Sequence, residues 1–442
     1  MAQAAFHFPR GFLWGTATAS HQVEGNNTNN NWYAWENEKG RIQNGEKAGL
    51  ACDWWGGRWR EDLDRAAEAG QNAHRMSLEW SRIQPRPGIW DESAIERYRV
   101  ILRGMLERGL TPLVSLHHFS DPLWLGEQGG WENEAVAGLF ENYVRKVVEA
   151  LKEYVSLWVT INEPNVYAIM GHILGIFPPG NTSLRSGFQV MTNQALAHAR
   201  AYRAIHDIQP HARVGIALNY TPLVPAKSWS IADRLVTGIL QNAYNHFFPT
   251  ALSTGKLRYP THSRRLPEVK GTQDYFGINY YTRFACAVDL RMVSQKFIRY
   301  EPLIVEDVSP NGFMSCDPAG FYHALKYASS FGLPVIVTEN GVEDADDHLR
   351  PRYLVQHLHQ MWRAVNFSLP IKGYFHWTLV DNFEWERGWG HRFGLWELDP
   401  ESQVRRKRPS ADLYAEICRE NGLTSETVAR YVPQLSAEMF PD

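Results

Sequence analysis

Leu157-Trp158-Val159-Thr160-Ile161-Asn162-Glu163-Pro164 is a short, nearly unbroken apolar run that ends abruptly on an amide, a carboxylate and a proline. A run without polar alternation reads as a strand covered on both faces, the state of strands in a parallel sheet. Val335-Ile336-Val337-Thr338-Glu339-Asn340-Gly341 repeats the pattern and again ends on a glutamate. Further strand-like runs lie at 12–19, 73–80, 111–119, 213–219, 275–282 and 372–379, which with 157–163 and 334–340 makes eight. Helical patterns follow at 59–69, 93–108, 134–154, 188–208, 231–247, 320–331, 354–366 and 411–420. Eight β-α units predict an α/β fold, a (β/α)8 TIM barrel closed as one domain over residues 1–442. The barrel itself needs only about 250 residues, so the excess is expected in long βα loops. No linker, repeat or low-complexity segment divides the chain.

A barrel of this kind carries its chemistry at the C-terminal ends of the strands. Polar residues collect there: Ser20-His21-Gln22-Val23-Glu24 after the first run, and Arg75 within the second, which ends Glu79-Trp80-Ser81-Arg82. The third ends His117-His118-Phe119, the fourth Asn162-Glu163, the sixth Asn279-Tyr280-Tyr281 and the seventh Glu339-Asn340. The eighth passes through His376-Trp377 to Asp381-Asn382-Phe383-Glu384-Trp385. Each residue taken singly could cap a strand or bond a loop backbone, and roughly half are expected to do so. Convergence from seven strands is poorly explained that way, because charge at buried strand ends is unfavourable unless paired or used. Glu163 and Glu339 stand out, since a carboxylate pair is the minimum equipment for breaking a glycosidic bond.

Bulk composition narrows the partners. Charged residues make up 21% and the formal net charge is −3, which offers no basic field for nucleic acid or an anionic membrane. The aromatic fraction of 13%, with 17 Trp, suits the apolar faces of sugar rings as well as a core. The start, Met1-Ala2-Gln3-Ala4-Ala5-Phe6, has no basic segment followed by an apolar one, and no run reaches membrane-span length. Cys52, Cys286, Cys316 and Cys418 are widely spaced, which indicates neither a zinc site nor a disulfide framework and points to a reducing cytoplasm. His357 and His359 do not share a helix face, so no metal is expected there.

With these residues in view, the chain resembles the family 1 glycoside hydrolases, the β-glucosidase and β-galactosidase group. The likeness runs from Phe8-Pro9-Arg10-Gly11-Phe12-Leu13-Trp14-Gly15 to Arg392-Phe393-Gly394-Leu395. Thr-Ile-Asn-Glu-Pro at 160–164, Thr-Glu-Asn-Gly at 338–341 and Trp377-Thr378-Leu379-Val380-Asp381-Asn382-Phe383-Glu384-Trp385 are together highly specific. The resemblance implies Glu339 as nucleophile and Glu163 as acid/base of a retaining double displacement, with the carboxyls about 5–5.5 Å apart. It implies Arg75 and Tyr281 beside Glu339, and Gln22, His118, Asn162 and Glu384 holding the sugar hydroxyls. Trp377 would lie under the ring, Trp385 would offer its indole N–H, and Asn279 would support the network. No cofactor or metal is implied.

Plainer roles are expected for neighbours of these residues. His117 points away from His118 on a strand and is read as packing or loop bonding. Glu24 and Glu79 are read as structural, Trp131, Trp158, Trp389 and Trp396 as core or rim, and Arg405-Arg406-Lys407-Arg408 as a solvated loop before the last helix. Relatives acting on phosphorylated sugars have a small residue at the place of Glu384 followed by Ser-x-Lys-x-Tyr, whereas Glu386-Arg387-Gly388-Trp389 follows here. Thioglucoside-cleaving relatives carry glutamine at the place of Glu163. The usual His-Trp after the third strand is His118-Phe119, which removes one indole donor. The expected activity is therefore hydrolysis of the terminal non-reducing β-D-glucosyl residue of small neutral β-glycosides, such as cello-oligosaccharides and aryl glucosides. Fucosides and galactosides are side substrates, and transfer to other acceptors is open to any retaining enzyme. The competing readings are a 6-phospho-β-glycosidase, a non-catalytic sugar-binding barrel and a metal-dependent barrel isomerase.

Overall fold

Residues 4–441 are described by the computed structural model; Met1, Ala2, Gln3 and Asp442 lie outside it, and with them the first part of the reading of the chain start. Eight parallel strands close into a barrel: β1 Leu13–Ala17, β2 Ala73–Ser77, β3 Thr111–His117, β4 Leu157–Asn162, β5 Arg213–Asn219, β6 Phe276–Tyr280, β7 Val335–Asn340 and β8 Ile371–His376. They neighbour one another in chain order, and β8 returns to β1 through Gly373↔Leu13 and Tyr374↔Trp14. The helices between them cover the outside, so β4, β6 and β7 are buried along their whole length.

Two irregularities in the ladder matter for function. β4 has one residue too many between Val159 and Asn162 for its pairing with β5. β7 skips Thr338 between Val337 and Glu339 against β6 and carries an extra residue against β8 before Asn340. A bulge bends a strand locally and re-aims the next side chain. Both glutamates singled out in the sequence follow such a bulge directly.

The excess length folds over the C-terminal mouth. Leu223–Pro225, Phe284–Val288 and Ile298–Pro302 form a small three-stranded sheet from the loops after β5 and β6. The helix predicted over 231–247 is broken: Ile231–Leu240 passes into a widened π turn, Gln241–His246, before Phe247–Thr254. The side chains of this turn satisfy loop backbone, since Gln241 Oε1 accepts from Leu223 N at 3.1 Å and Asn245 Oδ1 from Thr221 N at 2.9 Å.

The basic run is not the solvated loop expected from sequence. Arg405–Lys407 is a strand paired with Trp396–Leu398, and its two end arginines turn inward. Arg405 packs on buried Asp62, and Arg408 forks onto Asp381 with both bonds at 2.9 Å. Two buried carboxylates demand those cations, which no local pattern announces. Asp381 also accepts from Gly394 N at 2.8 Å, so this pair anchors the loop that carries Glu384 and Trp385. Arg408→Ala would leave buried Asp381 without its two-pronged partner and with only Arg392 Nη1 at 3.6 Å, with an expected loss of roughly 3 kcal/mol, the low end for a broken buried pair. Urea unfolding of the variant measures it, and a loss under about 1 kcal/mol would show the pair to be incidental.

Candidate active site

Glu163 sits where β4 ends and the helix Pro164–His172 begins. Pro164 suits the first helical position, where a missing N–H does no harm. The turn forces Glu163 into left-handed backbone, φ +42°, which for a non-glycine residue costs on the order of 1–3 kcal/mol. Its N–H is held by Ala217 O at 2.7 Å. One carboxylate oxygen, Oε1, accepts from the amides of Asn219 and Asn279, each at 2.8 Å. Among the described residues Oε2 has no partner.

Glu339 is gripped from both sides. Arg75 Nη1 donates to Oε1 at 2.5 Å and the Tyr281 hydroxyl to Oε2 at 2.6 Å. Arg75 is wholly buried, and its other donors reach Asn162 Oδ1 at 2.6 Å, Thr338 O at 3.1 Å and Ser115 Oγ at 3.2 Å. The Asn279 amide, oriented by a 2.5 Å bond from Thr338 Oγ1 to its oxygen, donates to Glu163 Oε1 at 2.8 Å and to Asn162 Oδ1 at 3.2 Å, the same oxygen that accepts from Arg75. The two carboxyls are thus joined through Asn279, Asn162 and the Arg75 guanidinium. The backbone is closed behind them: a Cβ on Gly341 would lie 2.1 Å from Trp377 O, so no side chain fits there.

The pair is electrostatically unequal. Burial, and then the charge of Glu339, push Glu163 up to about 8. Burial also raises Glu339, but the Arg75 guanidinium and the Tyr281 and Arg75 hydrogen bonds pull it back. A shared proton therefore belongs on Glu163, the member without a cation in contact.

The other predicted residues surround one cavity of about 560 Å³. His118, Glu163, Tyr281, Glu339, Trp377, Glu384 and Trp385 line it. Gln22, Arg75, Asn162 and Asn279 are fully buried behind this wall. Asn162 gives its oxygen to Arg75, so its Nδ2 faces His118 Nε2 at 2.9 Å. That makes His118 Nε2 an acceptor and Nδ1 the protonated nitrogen, a buried donor without a protein partner. Burial and Arg75 keep the ring neutral by lowering its pKa well below the usual value. Gln22 Nε2 donates to Phe383 O at 2.8 Å and Glu384 Oε2 at 3.2 Å, which leaves Gln22 Oε1 as an unpaired acceptor. Burial, and then Glu386, raise Glu384 to about 8, so this carboxyl exchanges its proton near neutrality. Trp377 packs near His118, with ring centres 6.0 Å apart. Trp385 lies against His118, Phe119 and Trp32.

His117, Glu24 and Glu79 keep the plainer roles expected of them. His117 bonds Asp121 at 3.0 Å, Glu24 binds Arg82 and Tyr98, and Glu79 accepts from Ser20, Ser81 and Ser120. Asn219, at the end of β5, escaped the sequence reading, which drew nothing functional from that strand. Its signal was the same as in the other strands, a polar residue closing an apolar run. Thr221 and Tyr244 hydroxyls hold its oxygen at 2.8 and 3.0 Å, turning the amide toward Glu163. Glu386 and Arg387 also line the cavity, bonded to each other at 3.1 Å.

The model for glycosyl hydrolase family 1 matches residues 4–423. The chain belongs to that family. Beta-glucosidase A of Thermotoga maritima is 32% identical to this enzyme over 452 residues, which is 94% of this chain and 98% of that protein. A cytosolic beta-glucosidase of Homo sapiens is also 32% identical, over 94% of this chain and 99% of the human protein. Among solved structures, a beta-glycosidase from Pyrococcus horikoshii superposes with a TM-score of 0.88 at 38% identity, covering 97% of this enzyme and 98% of its own chain. Among the described residues, no group of three or more His, Cys, Asp or Glu could hold a metal ion, and no helix is long and apolar enough to cross a membrane.

Proposed function

We propose that the enzyme is a retaining β-glycosidase that releases the terminal non-reducing β-D-glucosyl residue of small neutral β-glycosides. The observation that carries this is the unequal carboxyl pair: a proton-holding Glu163 and a cation-paired Glu339, joined by one hydrogen-bond network and lining one cavity. Glu339 attacks C1 of the sugar. The bond from C1 to the leaving oxygen breaks, and the Glu163 proton passes to that oxygen. Esterification removes the charge of Glu339, so the Glu163 pKa falls. Glu163 then takes a proton from water, whose oxygen displaces Glu339 from C1. Interception of the same ester by another hydroxyl gives transfer in place of hydrolysis.

The surrounding groups suit a hexose. His118 Nδ1–H and Gln22 Oε1 are a donor and an acceptor left unpaired in a buried wall, an arrangement that a bound hydroxyl set completes. Glu384 both donates and accepts near neutral pH, Asn162 holds the 2-hydroxyl side, and Trp377 lies under the ring, with the Trp385 N–H at its edge. A neutral glycone is favoured over a 6-phosphate, because Glu384 and Glu386 meet the sugar here and the Arg387 charge is already engaged by Glu386. Relatives named β-glucosidase support glucose as the sugar; fucosides and galactosides are taken as side substrates because one altered hydroxyl changes few contacts. Four buried free cysteines are in keeping with a reducing compartment such as the cytoplasm. The whole chain is taken to act as one barrel domain.

A panel of aryl β-glucosides, β-galactosides and β-fucosides with cellobiose, the first-formed anomer read by NMR, tests the reading. The β-anomer of glucose is expected first, and an α-anomer would refute retention. On the same substrates kcat/KM falls as pH rises through about 8, because Glu163 must enter protonated. The limb persists in Glu384→Gln; its disappearance there would reassign it to Glu384.

A further inference from the structure

Charge is unevenly spread around the cavity. Its acids, Glu163, Glu339, Glu384 and Glu386, belong to the reacting and sugar end. The leaving-group side carries Lys296, whose Nζ donates to Thr182 O at 2.8 Å and makes no ion pair among the described residues. It also carries Tyr300, whose hydroxyl has no hydrogen-bond partner among the described residues.

Pro260 lines the same cavity from the turn of a two-stranded hairpin, Lys256–Arg258 against Ser263–Arg265. Tyr259 anchors the hairpin, with its hydroxyl 2.7 Å from Thr192 Oγ1 and its ring against Phe188 of the cavity wall. Leu257 is wholly buried and fixes which face turns inward. Side chains alternate along a strand, and opposed residues share a face. Lys256 opposes Arg265 and Arg258 opposes Ser263, so Lys256, Arg258 and Arg265 stand together on the outward face. They are about 5 Å apart across the hairpin and about 7 Å apart along it.

These cations have no counter-charge. From Lys256 to Lys270 there are five Lys or Arg and one acid, Glu268, in a chain whose 48 acids outnumber its 45 bases. None of the five side chains makes an ion pair or hydrogen bond among the described residues. Charge on an edge strand guards against stray pairing, which accounts for one cation or two. It does not account for Lys256 directly opposite Arg265, since opposed like charges destabilise a hairpin. An anion laid across them relieves that repulsion.

We infer that this rim holds the leaving group, and that the leaving group is an acidic oligosaccharide whose uronate carboxylates lie on Lys256, Arg258 and Arg265. The glucosyl unit enters between Glu163 and Glu339. Lys296 and the Tyr300 hydroxyl meet the first leaving unit, and the chain passes out over Pro260. The inference rests on the glycosidase reading above, keeps its neutral glycone and makes the leaving group anionic.

Cellobiose, glucosyl-β-1,4-glucuronate and the same glucoside extended by a second β-1,4-linked glucuronate test it, beside 4-nitrophenyl β-D-glucoside. kcat/KM should rise roughly threefold per carboxylate, on the order of tenfold from cellobiose to the diacid. Because the cations are exposed, most of that gain should vanish in about 0.5 M NaCl. In Lys256→Gln/Arg258→Gln/Arg265→Gln the diacid-to-cellobiose ratio of kcat/KM should fall about tenfold, and this ratio does not depend on how much of the variant folds. A parent ratio of one or below, a gain that persists in salt or a gain that survives the triple substitution overturns the inference. Turnover of the nitrophenyl glucoside then spares the glycosidase reading, whereas no turnover of any glycoside overturns both. Binding to phosphatidylglycerol vesicles that the triple substitution abolishes, without a gain for the acids, overturns the inference too, since a lipid surface would then own the hairpin.

Discussion

Replacing Glu339 by glycine is expected to lower turnover on the order of 10⁶-fold, the scale on which removal of a covalent nucleophile acts. Two consequences separate loss of a nucleophile from simple loss of structure. The variant keeps Arg75 in place through Asn162 and Thr338 but strips it of its carboxylate, so a small anion such as formate or azide is drawn into the vacancy. That anion attacks the sugar from the face Glu339 would have used. With an activated aryl glucoside it should partly restore turnover and yield an α-configured product, inverted relative to substrate. The same unpaired guanidinium predicts a stability loss of roughly 3–5 kcal/mol, read by unfolding without substrate. A folded variant that keeps even one-hundredth of the activity would remove Glu339 from the chemistry.

Glu163→Ala is the second large effect, and its signature is unequal across substrates. Alkyl glucosides and cellobiose need a proton on the departing oxygen, so they should lose roughly 10²–10⁴-fold. A dinitrophenyl glucoside, whose leaving group departs without a proton, should form the glycosyl-enzyme at close to the normal rate and then stall, because water has lost its base. Azide, which needs no base, should relieve that stall and give a β-glycosyl azide. Equal losses on good and poor leaving groups would exclude the acid/base role. In Glu339→Gln, titration of Glu163 followed by infrared or NMR should move downward from about 8, since a neighbouring negative charge helps to hold it there. An unmoved titration would mean that the two groups are not coupled.

Much of this architecture was visible in one dimension. Apolar runs of seven to nine residues alternating with 3.6-period segments leave a chain few choices but strands covered on both faces, and all eight strands form in the expected order. What escaped the pattern came from interactions between distant segments. Arg405 and Arg408 read as surface charge because nothing near them in sequence mentions Asp62 or Asp381, 343 and 27 residues away. The π turn at Gln241–His246 interrupts a continuous helical pattern to feed the backbone of a loop around residue 221. Asn219 looked like an ordinary strand end until Thr221 and Tyr244 turned its amide toward Glu163.

Periodicity and residue type were enough for the barrel, its chain order and the presence of acids at strand ends, because each depends on short-range hydrophobic patterning and local backbone preference. Proton placement is a different matter. Glu163 and Glu339 are chemically identical residues in similar strand-end settings, and only packing set them apart by giving one a buried guanidinium and the other two amides. The bulges that aim them and the burial that raises Glu163 likewise arise from contacts across the barrel mouth. Electrostatic energy in a buried site depends on distances through space, and chain separation carries no measure of those.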